Sequence, residues 1–254
     1  MLTSYRWSPA IISKKLEGIY EYKIVSAECI YQYIYRQKKE KGVDYTHYLR
    51  VGRKNRQKRT CIRKRRGIIK DRVFIDERPK EVEARQRIGD WEIDLIEGKN
   101  KKSYLLVMVE RMSRYVILQK LHSKNALHCS NAIIRSLQPF VSIGWVKTLT
   151  FDNGKEFALH TRIQNVLQVP TYFTHPYSAW EKGTCENTNG RLRMFLPKKS
   201  DFTLLKPPQI YYIQECINNR PMKVLDYLSP NQFLLKKLST KILPKLSNLP
   251  PVEG

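Results

Sequence analysis

Acidic residues are scarce in this chain: 23 Asp and Glu stand against 47 Lys and Arg, for a formal net charge of +24. That imbalance argues against a basic partner and for a polyanionic one, nucleic acid first. Long apolar runs are missing too. The longest candidate, Tyr104 to Val109, is strand-sized and well short of the ~18 residues that a membrane span needs. Cysteine is sparse and scattered: Cys29, Cys61, Cys129, Cys185 and Cys216 form no CxxC pair, so neither a zinc site nor a disulfide framework is expected. The N-terminus carries no signal-peptide pattern, and the expectation is a soluble, cytoplasmic protein with reduced thiols. What remains is a composition that folds. Hydrophobic residues make up 41% of 254 positions, with 15 tyrosines, enough for one sizeable core and a small accessory domain.

The chain divides by character. Residues 1–49 predict two short helices, one opening at Ser8-Pro9 and running to about Leu16, the other following Ser26 through ECIYQYIYRQ. Two such helices ahead of a basic run suggest a helix-turn-helix-like DNA-binding region, although their connection exceeds the usual tight turn. Residues 50–87 form a basic linker. Arg50 to Arg72 holds twelve Lys or Arg in 23 residues, RKRR at Arg63, Lys64, Arg65 and Arg66 among them, and such a run is expected to track phosphates. From Ile88 the pattern changes. Asp90–Glu97, Tyr104–Glu110 and Tyr115–Lys120 predict three strands joined by short polar links, hence antiparallel hairpins. A helix over Asn125–Leu137, a strand over Val146–Phe151, a helix to about Leu167, a strand at Thr171–Phe173 and a helix from Thr184 follow. Three antiparallel strands and then α-β-α-β-α is the order of a ribonuclease-H-like α/β fold, placed over 88–240, with a C-terminal tail at 241–254.

Three acids stand out within that order. Asp152 ends an apolar run immediately before Asn153-Gly154, a tight turn that exposes a strand end; Glu186 lies 34 positions further on, inside a helix. On the first strand Asp90, Glu92 and Asp94 share one face, and period alone does not choose among them. Acids delivered from separate elements to one point are what two-metal phosphoryl transfer requires, because carboxylates suit Mg²⁺ and two ions about 4 Å apart neutralise the reacting phosphate. Each acid also has an ordinary reading: a turn or N-cap aspartate for Asp152, a solvated helix residue for Glu186. The latter shares its face with Asn189, Gly190 and Arg193, a set closer to a site than to a core stripe.

Taken together, WSPAIISKKL, SAECIYQYIY, IDERPKEVEARQRIGDWEIDLI, LVMVERMSRYVILQKL, TLTFDNGKEF, HPYSAWEKGTCENTNGRLRMFLPK and INNRPMKVLDYLSPNQF resemble the insertion sequence thirty family of transposases, within the DDE transposase and retroviral integrase group. The resemblance implies that Asp94, Asp152 and Glu186 are a catalytic, metal-binding triad, with Asp94 matching the aspartate of the family's WEGDL pattern. It implies two Mg²⁺ ions per site, replaceable by Mn²⁺, and Lys182, Arg193, Asn187 and Asn189 as DNA contacts near the cut. The partner would be double-stranded DNA, both transposon ends and target, and the state a homo-oligomer at the bacterial nucleoid. Ile93 stands where the family has glycine, His175 where an acid is frequent and Cys185 where asparagine is. Family members carry a further N-terminal helix-turn-helix region before the WSP motif, whereas Met1 lies only six residues before Trp7, so the expectation is a chain lacking it. The competing expectations are a non-catalytic DNA-binding derivative that regulates transposition and a ribonuclease-H-type nuclease without strand joining.

Overall fold

The computed structural model describes residues 1–49, 69–176 and 178–246; the basic run with Arg63, Lys64, Arg65 and Arg66, and the last eight residues, lie outside the described residues. In chain order its elements are α1 (Pro9–Tyr20), α2 (Ala27–Lys41), α3 (Lys80–Ala84), β1 (Asp90–Glu97), β2 (Tyr104–Glu110), β3 (Val116–Leu121), α4 (Ala126–Val141), β4 (Thr148–Phe151), α5 (His160–Leu167), β5 (Thr171–Phe173), α6 (Gly183–Phe195), α7 (Pro207–Asn218) and α8 (Pro230–Leu246). Among the described residues, 1–49 and 218–246 belong to one compact unit and those between 69 and 217 to another. Helix α8 runs past 240 to Leu246.

In the first unit, Pro9 occupies the first turn of α1, where its missing N–H is no loss, and the helix ends at Glu21 in the left-handed region (φ 63°). The Oγ of Ser26 caps α2 by accepting from the Cys29 N–H at 3.1 Å, and Gly42 at φ 67° ends it. The Ser13 hydroxyl donates to the Val25 carbonyl at 2.6 Å, fixing the path between the two helices. Arg220 donates to the Arg6 carbonyl at 2.5 Å, tying the returning chain to the start.

The second unit is built on a five-stranded sheet of order β3-β2-β1-β4-β5. The pairs β1–β2 and β2–β3 are antiparallel; β1–β4 and β4–β5 are parallel. This is the ribonuclease-H-like order expected from the sequence. Parallel pairing needs crossovers, which α4 and α5 supply. Every residue of β2 is buried, as a strand covered on both faces must be. On one face, Trp91, Ile93, Leu106 and Met108 pack with Ile133 and Leu137 of α4 and Ile163 of α5. On the other, Leu105, Val107 and Val109 pack with Cys185 and Leu192 of α6 and Ile213 and Ile217 of α7. Ile93 is fully buried on the α4 side, so its bulk meets a core and not the neighbouring acids. Among the described residues, no helix is long and apolar enough to cross a membrane.

Leu106 is fully enclosed on β2, which has a neighbouring strand on each side. Leu106→Ala is predicted to cost about 2–5 kcal/mol. A urea titration should show a lower midpoint at an unchanged slope; a change under about 0.5 kcal/mol would mean the site collapses around the gap or is less well packed than described.

Candidate active site

Alternation along β1 sends Asp90, Glu92 and Asp94 toward α6, and burying three carboxylates in a row is costly unless each is paired. Asp90 accepts from the Thr148 hydroxyl at 2.8 Å and from Arg87 Nε at 3.0 Å. Glu92, fully buried, accepts from Arg111 Nη1 at 2.7 Å and from the Cys185 backbone N–H at 2.8 Å. Arg111 reaches on to Glu83 at 3.0 Å, and Arg78 pairs with Glu83 and donates to the Thr150 hydroxyl at 2.9 Å. Burial and the neighbouring Arg111 charge bring Arg78 down to about 10. Two of the three acids on this face are therefore spent on structure. Beyond the period-two acids, that network is not legible in the sequence, because its basic members come from a hairpin turn and from the segment before β1.

Asp94 is the acid left at the open end. The parallel register sets Asp90 beside Thr148 and Glu92 beside Thr150; continued by two residues, it brings Asp94 level with Asp152, just past the end of β4. The Gly154 N–H donates to Asp152 Oδ1 at 3.0 Å, an Asx turn that holds the carboxylate at the strand end. Both aspartates face Lys182. Its ammonium lies 3.0 Å from Asp94 Oδ1 and 4.0 Å from Asp152 Oδ2, and it donates to the Ile93 carbonyl at 2.8 Å. Lys182 is 7% exposed, so it is enclosed within the site and not spread on the surface. Burial works against its charge, but Asp94 and Asp152 outweigh burial and its pKa is raised. Burial likewise favours the neutral form of Asp94, and there Lys182 and Asn189 prevail, lowering its pKa.

Asn189, on α6, donates to Asp94 Oδ2 at 2.6 Å, while its own Oδ1 is buried without a partner. Glu186 and Asn187 lie exposed on α6, in the turns after Lys182. Arg193 is half-buried and donates to the Leu196 carbonyl at 3.4 Å. The structure thus gathers Asp94, Asp152, Lys182 and Asn189 around one point. Among the described residues no three His, Cys, Asp or Glu side chains form a metal-holding group, so Glu186 is not drawn in with the two aspartates. The donors nonetheless suit a hard cation: two carboxylates, an orphaned amide oxygen beside one of them, and an ammonium already standing where positive charge is wanted.

Two of the departures from the family pattern have local partners. His175 pairs with Glu181 at 3.0 Å and with Asp76 at 2.9 Å, stacked on Phe74, and its pKa is raised by the Glu181 hydrogen bond. Cys185 is buried, and burial pushes its thiol well up, which leaves it inert. A cavity of about 360 Å³ lies against Arg85, Arg111 and Trp180. Neither Asp94 nor Asp152 lines it, so the carboxylates and not the cavity mark the site.

Comparison with known proteins gives the chain's family. The integrase core domain family matches residues 84–179. The chain is 41% identical, over 86% of its length, to the transposase for insertion sequence element IS4351 of Bacteroides fragilis, covering 65% of that protein. It is 39% identical, over 92% of its length, to the transposase for IS1086 of Cupriavidus metallidurans, covering 70%. To transposase InsI for IS30A of Escherichia coli it is 31% identical over 90% of its length, covering 61%. The chain therefore spans about two thirds of the length of these relatives. Among solved structures, the catalytic core domain of BIV integrase is similar at 21% identity and a TM-score of 0.47, over 61% of this chain and 99% of that one.

Two predictions follow from the charge network. Glu92→Gln leaves Arg111 half-paired in the interior and should destabilise the protein by about 3–5 kcal/mol; calorimetric melting that matches the parent would show the pair to be dispensable. Asp94 has a folded-state pKa below its unfolded value of about 3.9, so its contribution is present above that pH and is lost as pH falls further. An Asp94→Asn variant should accordingly show a flatter acid limb in stability against pH, and identical limbs would contradict the assignment.

Proposed function

Because the chain belongs to the insertion-sequence transposases that carry an integrase core domain, insertion sequence thirty transposases among its relatives, we propose that it cuts DNA at transposon ends and joins the freed ends to target DNA. One observation carries the reading. Asp94 on β1 and Asp152 just past the end of the parallel neighbour β4 share a cationic centre beside the middle strands of a ribonuclease-H-like sheet.

The chemistry proposed is phosphoryl transfer: hydrolysis exposes a 3′-hydroxyl, and that hydroxyl then displaces an oxygen at a target phosphodiester. No serine, cysteine or tyrosine nucleophile is required, in keeping with the inert Cys185. Asp94 and Asp152 would hold the divalent cations, Mg²⁺ or Mn²⁺, with Glu186 completing the set once DNA is bound. When bound, two such ions supply charge neutralisation and alignment of the attacking and leaving oxygens. Asn189 fixes one oxygen of Asp94 and the Gly154 N–H fixes one of Asp152; the other oxygen of each faces Lys182 and would be the one to meet a cation. Arg193 and Asn187 would meet the DNA backbone beside the cut. The basic run with Arg63, Lys64, Arg65 and Arg66, and the α1–α2 pair, would add sequence-independent and end-recognising contacts. A homo-oligomer bridging two ends is the assembly this reaction calls for.

The test is cleavage and strand transfer on DNA carrying the element's own ends, with Mg²⁺ or Mn²⁺. Asp94→Asn, Asp152→Asn and Glu186→Gln should each lower the rate at least about a hundredfold, the scale of several kcal/mol of lost transition-state stabilisation. Salt-sensitive DNA binding with no products from the parent protein would instead identify a regulatory DNA-binding derivative.

A further inference from the structure

We propose that Lys182 is a displaceable counter-ion: without divalent cation its ammonium bridges Asp94 and Asp152, and cation entry expels it toward the DNA phosphates. The inference rests on the reading above, that these two aspartates hold the cation.

The geometry is that of an occupied cation site. The ammonium touches one oxygen of Asp94, lies 4.0 Å from one oxygen of Asp152 and is capped by the Ile93 carbonyl. An ammonium and a divalent cation repel each other, so the two cannot share this space at low local dielectric. The exchange is also economical. Lys182 holds Asp94 Oδ1 while Asn189 holds Oδ2, so leaving frees one oxygen and the carboxylate stays oriented by the other.

The exchange requires the side chain to swing out, and its chemistry suits that. Lysine carries its charge on a flexible four-carbon stem, unlike the planar fork of arginine. Lys182 immediately precedes α6, and a Cβ added at the following Gly183 would meet nothing within 4 Å, so the backbone there is not wedged. It also lies four residues before Glu186, just ahead of the helix that faces the DNA in the proposed reaction. Expulsion would therefore give the site a positive charge for the phosphate at the moment the carboxylates acquire their ion. Protein without the cation would keep the two aspartates neutralised and DNA held less tightly at the cut.

The experiment uses the full chain, Mg²⁺ for calorimetry, and Ca²⁺ as a hard cation with random-sequence duplex DNA. Lys182→Gln should bind Mg²⁺ about tenfold more tightly, because nothing has to be displaced first. In the parent, Ca²⁺ should steepen the dependence of log Kd for DNA on log salt by about 0.9, one added phosphate contact, and should leave the slope of the variant unchanged. Equal slopes with and without Ca²⁺ in the parent, or equal steepening in both proteins, would overturn the proposal and make Lys182 a fixed ion pair. If the variant fails to fold, the parent decides alone. A slowly exchanging ¹⁵N ammonium signal assigned to Lys182 should disappear on Mg²⁺ titration, and its persistence at saturation would overturn the idea. Mg²⁺ binding that is absent in the parent, or that survives Asp152→Asn, would instead remove the cation reading itself and this inference with it.

Discussion

The parallel pairing of β1 with β4 is the constraint on which the rest depends. Antiparallel neighbours run their carboxyl ends to opposite edges of a sheet, whereas parallel neighbours bring both to the same edge. Only this pairing sets Asp94 and Asp152 level. The crossover that parallel strands demand is α4, and its buried face is also what covers Trp91 and Ile93 on the reverse of β1. Packing and placement of the acids are thus one requirement met once.

The other face of β1 carries a harder problem. Three carboxylates in alternate positions would repel one another and resist burial. The first is held by Thr148 and Arg87, the second by Arg111 and a backbone N–H from α6, the third by Lys182 and Asn189. Helix α6 supplies partners to two of the three. Its docking is therefore fixed by charge as well as by Cys185 and Leu192 in the core. Glu92 thus bears on the seating of the helix that carries Glu186, through the Cys185 N–H.

Much of this was legible in the sequence. Short polar links between runs of alternating residues identified the meander, and the bounds of β1, β2 and β5 were read as they are found. Asp152 was readable because Asn-Gly marks a strand end. What period could not do was separate Asp94 from Asp90 and Glu92, since all three obey it; the distinction lies in partners contributed by distant segments such as Arg111 and Thr148. Resemblance alone makes Lys182 a DNA contact. Its burial against the aspartates depends on how the turn before α6 packs, which no local pattern encodes. The grouping of residues 218–246 with the N-terminal helices was equally invisible, because it joins segments far apart in the sequence.

The strand order also bears on how the molecule comes into being. Strands β1, β2 and β3 are sequential neighbours and close through short hairpins, whereas β4 joins β1 only after the intervening chain has been threaded across the sheet. Local pairings form early and non-local ones late. A chain still being synthesised thus completes its hairpins while the partner of Asp94 is not yet in place. The two aspartates meet only through the strand pairing of largest sequence separation in the sheet, so topology places this centre late in folding.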